Sequence, residues 1–114
     1  MTYSDDDILD YISLPHDVIR SESWIGLSSG AVRLLIAILD RFDGANNGDM
    51  HYSVAEAVTL LHSSTSTALR RFAELREAGF IVCTKRGSFA HKEGERRGMS
   101  STWRVPFLDR KTGG

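Results

Sequence analysis

The chain has almost no cysteine and no long apolar run, and each scarcity removes a class of protein. Of its 114 residues one is cysteine, Cys83, so an internal disulfide is excluded and no metal site can rest on thiolates alone. Preceded by Phe80, Ile81 and Val82, Cys83 reads as a small core or sheet residue rather than a nucleophile. No apolar stretch approaches the roughly 18 residues that a membrane helix needs. Residues 1–7 are acidic and lack the apolar core of a signal peptide, so a cytoplasmic chain without a membrane partner is expected. His16, His51, His62 and His91 show no ligand spacing, which speaks against a metal. A glycine-rich phosphate loop is missing, Gly87 and Ser88 read as a turn, and no Ser/His/Asp constellation is present. Neither catalysis nor a cofactor nor a small-molecule ligand is therefore expected.

What is present fits one domain. A hydrophobic content of 41% supports a single modest core. The near-neutral total of −1 hides a split. Residues 1–62 hold ten acids and three bases (3 − 10 = −7), and residues 63–114 hold eleven bases and five acids (11 − 5 = +6). A chain divided in this way is expected to offer one face to an anionic partner and another to solvent or protein.

Local patterns give the elements. Residues 1–24 form an acidic arm, partly packed through an apolar cluster of Ile8, Leu9, Tyr11, Ile12 and Leu14, and Pro15 stops any helix running through it. Val18, Ile19, Trp24, Ile25 and Leu27 imply that residues 16–27 pack as a short helix or turn. Ser28 is a good N-cap for a helix over residues 29–42, in which Leu34, Leu35, Ile38, Leu39 and Phe42 recur at three- and four-residue spacing while Arg33, Asp40 and Arg41 lie on the wet side. Asn and Gly over residues 44–49 break the chain, and Met50, His51 and Tyr52 suit a small strand. Ser53 with Glu56 three residues on makes a capping box, with Val54, Ala57, Val58 and Leu61 as the buried stripe of the helix that follows. After a turn at His62 and Ser63, a helix capped by Ser63 or Ser64 buries Ala68, Phe72 and Leu75 and stops at Gly79. Residues 80–86 and 101–107 have strand composition, and the charged, glycine-containing residues 87–100 between them read as the loop of a hairpin. Trp24 and Trp103 are expected in the core or sheet. Residues 108–114 are expected to be a flexible tail.

The order of helix, helix, helix, strand, basic loop, strand resembles the winged helix-turn-helix family over roughly residues 25–107. The residues that carry the resemblance are Ser64, Thr67, Arg70, Leu75, Gly79 and Phe80, which meet the pattern Ser-x-x-Thr-x-x-Arg-x-x-x-x-Leu-x-x-x-Gly-hydrophobic. Many bacterial, phage and plasmid transcription regulators and replication proteins look like this. The resemblance implies an α+β fold, a three-helix core with a two-stranded β-hairpin wing and an N-terminal extension. It also implies double-stranded DNA as partner, bound sequence-specifically by occupancy at a promoter or a replication origin.

Chemistry points the same way. Small hydroxyl residues at a helix start let its free N–H groups approach phosphate closely, and Ser64, Thr65, Ser66 and Thr67 occupy that place. Arg70 and Arg71 follow one turn later, suited to a bidentate contact with guanine or a grip on phosphate. A plainer reading makes the pair a solvated face with Glu74 as i,i+4 partner of Arg70. Leu69 lies partly outward, against a thymine methyl or a neighbouring helix. The hairpin supplies Lys85, Arg86, Lys92, Arg96 and Arg97 as backbone clamps. A homodimer through residues 1–27 fits paired half-sites. The alternative function is a winged helix that binds protein instead of DNA, with the acidic half as docking face.

Overall fold

The computed structural model describes residues 11–86 and 101–110. Lys92, Arg96, Arg97 and the acidic residues 1–10 lie outside the described residues, as does the whole expected hairpin loop. Five α-helices and a three-stranded antiparallel sheet make an α+β fold among the residues described.

Two single-turn helices, α1 (His16–Ile19) and α2 (Glu22–Ile25), lead in. Pro15 sits immediately before α1, where its missing N–H costs nothing. The Ser21 hydroxyl caps α2 by accepting from the Trp24 N–H. Trp24 then meets Phe80 edge-on at 6.0 Å, which ties this leader to the end of the last helix.

Helix α3 (Ser29–Leu39) is capped by Ser28 and buries Ala31, Leu34, Leu35, Ile38 and Leu39. It ends at Leu39 rather than at the expected Phe42. The N–H groups of Arg41 and Phe42 bond three residues back, to Ile38 and Leu39, so the last turn tightens and the chain leaves the helix. Asp43 and Asn46 then exchange side-chain bonds with each other's backbone to close the turn.

Helix α4 (Val54–Leu61) carries the complete capping box of Ser53 and Glu56. Of its expected stripe Ala57 is fully buried, whereas Val54, Val58 and Leu61 are half-buried. Residues 62–64 turn the chain, with His62 in the left-handed region at φ 51°. Ser64, not Ser63, caps α5 (Thr65–Glu77), and Ala68, Phe72 and Leu75 face the core as the spacing implies. The stop at Gly79 is a Schellman arrangement: the Phe80 N–H reaches the Leu75 carbonyl and the Gly79 N–H reaches that of Arg76.

The expected two-stranded hairpin acquires a third strand. Strand β1 (Met50–His51) and strand β2 (Val82–Lys85) both pair antiparallel with β3 (Thr102–Arg104), which is central. A bulge sets Thr84 and Lys85 against Thr102, and the freed Thr84 hydroxyl bonds both the Gly48 carbonyl at 2.6 Å and the Thr102 hydroxyl at 2.7 Å. Asn47 extends the β1 edge without being in a strand: its side-chain amide accepts from the Val105 N–H at 2.8 Å and donates to the Val105 carbonyl at 3.0 Å.

The second strand is shorter than residues 101–107. After Arg104 the chain turns into a 3-10 helix, Pro106–Asp109, that buries Phe107. The start of the expected tail is anchored as well, since Leu108 packs against the core and Arg110 pairs with Asp17. Trp103 is buried, stacks on Phe72 at 5.1 Å and donates its indole N–H to the Tyr52 carbonyl, so one side chain joins sheet, α5 and the entry to α4. Cys83 sits half-buried in β2.

Candidate nucleic-acid interface

The first two turns of α5 bring the hydroxyl residues of the sequence together at one exposed helix start. Ser64 accepts from the Thr67 N–H at 3.1 Å and donates to the Thr67 hydroxyl at 3.2 Å. Arg70 reaches back to the same Thr67 hydroxyl at 3.3 Å. With both neighbours donating to it, the Thr67 oxygen keeps its own proton free for an outside acceptor. Thr65, Ser66, Leu69 and Arg70 are exposed, and Leu69 retains 47% of its surface.

Arg71 does not belong to this face. The core positions of α5 turn it toward α3, where its Nη1 donates to the Ser28 hydroxyl at 2.7 Å and lies 3.3 Å from Glu74. Only 24% of its side chain is exposed, and its Nε is buried without a hydrogen-bond partner. Its stem crosses Gly30, where a Cβ would lie 3.1 Å from the Arg71 Cδ. The expectation that Arg70 and Arg71 project outward together is thus corrected: one hundred degrees of helix rotation per residue separates them, and tertiary packing takes Arg71. Glu74 likewise pairs with Arg71 and Ser28 rather than with Arg70.

The positive charge of the second half divides by fate. Arg71, Arg104 and Arg110 are neutralised by Glu74, Asp109 and Asp17, and in the first half Arg41 is neutralised by Glu56. Arg70, Arg76, Lys85 and Arg86, and Arg33 of the first half, have no carboxylate partner among the described residues. Lys85 and Arg86 stand exposed at the end of β2.

Sequence reasoning missed the place of Arg33. Its helical position marks it as solvent-facing, yet nothing local connects it with α5. In the fold it lines a cleft of about 280 Å³ together with Ser29, Ser63, Thr67 and Arg71. No group of three or more His, Cys, Asp or Glu that could hold a metal occurs among the described residues. No helix among them is long and apolar enough to cross a membrane.

No protein-family model matches this chain. No curated protein and no solved structure matches it significantly.

Proposed function

We propose that this chain is a winged helix-turn-helix protein that binds double-stranded DNA sequence-specifically and acts by occupancy, as a transcriptional regulator or a replication-origin binder. The observation that carries the reading is the state of α5: its exposed start gathers Ser64, Thr65, Ser66, Thr67 and Arg70, and the guanidinium of Arg70 has no carboxylate partner among the described residues. A helix end of this kind suits insertion into a major groove, with its N–H groups toward phosphate and Arg70 toward base edges. Further support comes from the element order of α3, β1, α4, α5, β2 and β3, and from two exposed cations at the root of the hairpin.

In this reading α5 enters the groove through Ser64 to Thr67 and Arg70. Lys85, Arg86, Lys92, Arg96 and Arg97 clamp the backbone beside it. Arg71 holds α5 against α3 and stays out of the groove. A homodimer belongs to the same reading, because α1 and α2 leave Ile19 and Ile25 exposed, the latter at 71%.

Selection of duplexes from random DNA, followed by titration of the winner across a salt series, tests the proposal. Affinity should fall steeply as salt rises, and Arg70→Ala should weaken the winner more than a random duplex. Absence of binding to any duplex at low salt would sink the reading, and stoichiometry on the winner decides the dimer.

A further inference from the structure

We propose that the cleft between the first turn of α3 and the start of α5 seats one backbone phosphate of the bound DNA, with Arg33 as its cation; this rests on the DNA-binding reading above.

Three helices and a turn build the cleft. Helix α3 contributes Ser29, Gly30 and Arg33, α4 contributes Leu61, the α4–α5 turn contributes Ser63, and α5 contributes Thr67 and Arg71. No carboxylate is among the residues lining it. Glu74 balances the charge of Arg71, so Arg71 serves as a neutralised wall and Arg33 supplies the net positive charge. Arg33 is exposed and makes no ion pair or side-chain hydrogen bond among the described residues, so no internal contact competes for its five donors.

Ser29, Ser63 and Thr67 line the same space, beside the apolar Leu61. Hydroxyl residues with one uncompensated guanidinium and no acid suit a compact anion, with Leu61 as an apolar wall beside it.

Position selects the anion. Thr67 belongs both to this cleft and to the exposed start of α5, where Arg70 bonds its hydroxyl. A duplex held along α5 would therefore run one strand past the cleft mouth. A free metabolite would have no reason to share a wall with the groove-facing helix, whereas a phosphodiester strand would. The contact would carry no base information: it would fix the register of α5 in the groove.

The test uses the full chain, the duplex selected above and a random-sequence duplex of equal length. Arg33→Ala should weaken both duplexes by the same factor, roughly tenfold, and reduce the slope of log affinity against log salt by about one. Arg33→Lys should restore the slope. Ethylation interference on the selected duplex should show one phosphate whose modification blocks the native protein and no longer matters to Arg33→Ala. Circular dichroism and the thermal midpoint should stay at native values; if alanine perturbs them, Arg33→Gln replaces it. Unchanged affinity and slope, on a duplex that the native protein binds and Arg70→Ala releases, would overturn the cleft while leaving the DNA reading intact. A change in the ratio between the two duplexes would overturn it too, because Arg33 would then be reading bases. Failure of the native protein to bind either duplex would remove the DNA reading and the cleft with it.

Discussion

Glu74 grips Ser28 across 46 residues of sequence. One carboxylate oxygen accepts the Ser28 N–H at 2.6 Å and the other accepts its hydroxyl proton at 2.7 Å. The same hydroxyl accepts from the Ala31 N–H as the cap of α3 and from Arg71, so its one proton and both lone pairs are used. Removing the carboxylate leaves Arg71 three-quarters buried without a counter-charge. Glu74→Ala should therefore destabilise the fold by about 2–3 kcal/mol. Ser28→Ala should cost about 1–2 kcal/mol through the lost cap. Urea unfolding followed by circular dichroism checks both, and values within error of the native protein would show the cluster to be unimportant.

Adjacent arginines should separate cleanly. Arg70→Ala removes an exposed side chain whose one hydrogen bond among the described residues is to Thr67, so it should change stability by no more than about 0.5 kcal/mol while weakening duplex binding. Arg71→Ala removes the counter-charge of Glu74 and one donor to the Ser28 hydroxyl, and should lower the thermal midpoint. Paired melting and DNA-titration curves for the two variants make the comparison, and equal effects on both readouts would contradict it.

Acid should loosen the frame through three carboxylates. Partial burial pushes Glu56 upward, but Arg41, the Ser53 N–H and the Ser53 hydroxyl outweigh it, so its carboxyl is held below its ordinary 4.5. Arg110 holds Asp17 below its ordinary value, and Asn47 with Arg104 does the same for Asp109. The unfolded chain then binds protons more readily than the folded one. The stabilisation is fully present above the ordinary carboxylate values and is lost as pH falls through the depressed ones. Denaturant midpoints should be flat near neutrality and decline below about 4.5, the ordinary value for Glu56. Glu56→Gln, which keeps the capping geometry, should flatten part of that decline.

Gly79 has φ 85° and open space where a Cβ would be added. The cost of Gly79→Ala is therefore one of backbone conformation alone, about 1–2 kcal/mol. A thermal melt measures it; a neutral result would mean that α5 ends in another way.

Trp103→Phe keeps a ring to stack on Phe72 but leaves the Tyr52 carbonyl without its indole donor. About 1–3 kcal/mol should be lost. The remaining Trp24 reports the transition by fluorescence, since its ring contacts Phe80.

Local chemistry made the helices legible. The capping box at Ser53 and Glu56, the cap at Ser28, the apolar face of Ala68, Phe72 and Leu75, and the left-handed stop at Gly79 are all short-range patterns, and the structure has each of them. Strand β1 was readable as a small strand, but its pairing was not, because its partner lies some fifty residues on at Trp103. The role of Asn47 as a strand surrogate and the anchoring of Arg110 were unreadable for the same reason: both depend on a partner distant in sequence.

The sequence by itself determined the helix limits at their caps, the core face of α5 and the gathering of hydroxyls at its start, since helix geometry relates residues three and four apart. Its charge split was a weaker guide, because a count cannot know which charges cancel. Only the tertiary structure decided that Arg110 pairs with Asp17, that Arg71 and Glu74 turn together onto Ser28 of α3, and that Arg33, from the acidic half, joins Thr67 at one cleft. Long-range ion pairs form where packing brings unlike charges within about 4 Å, and that distance is a property of the fold.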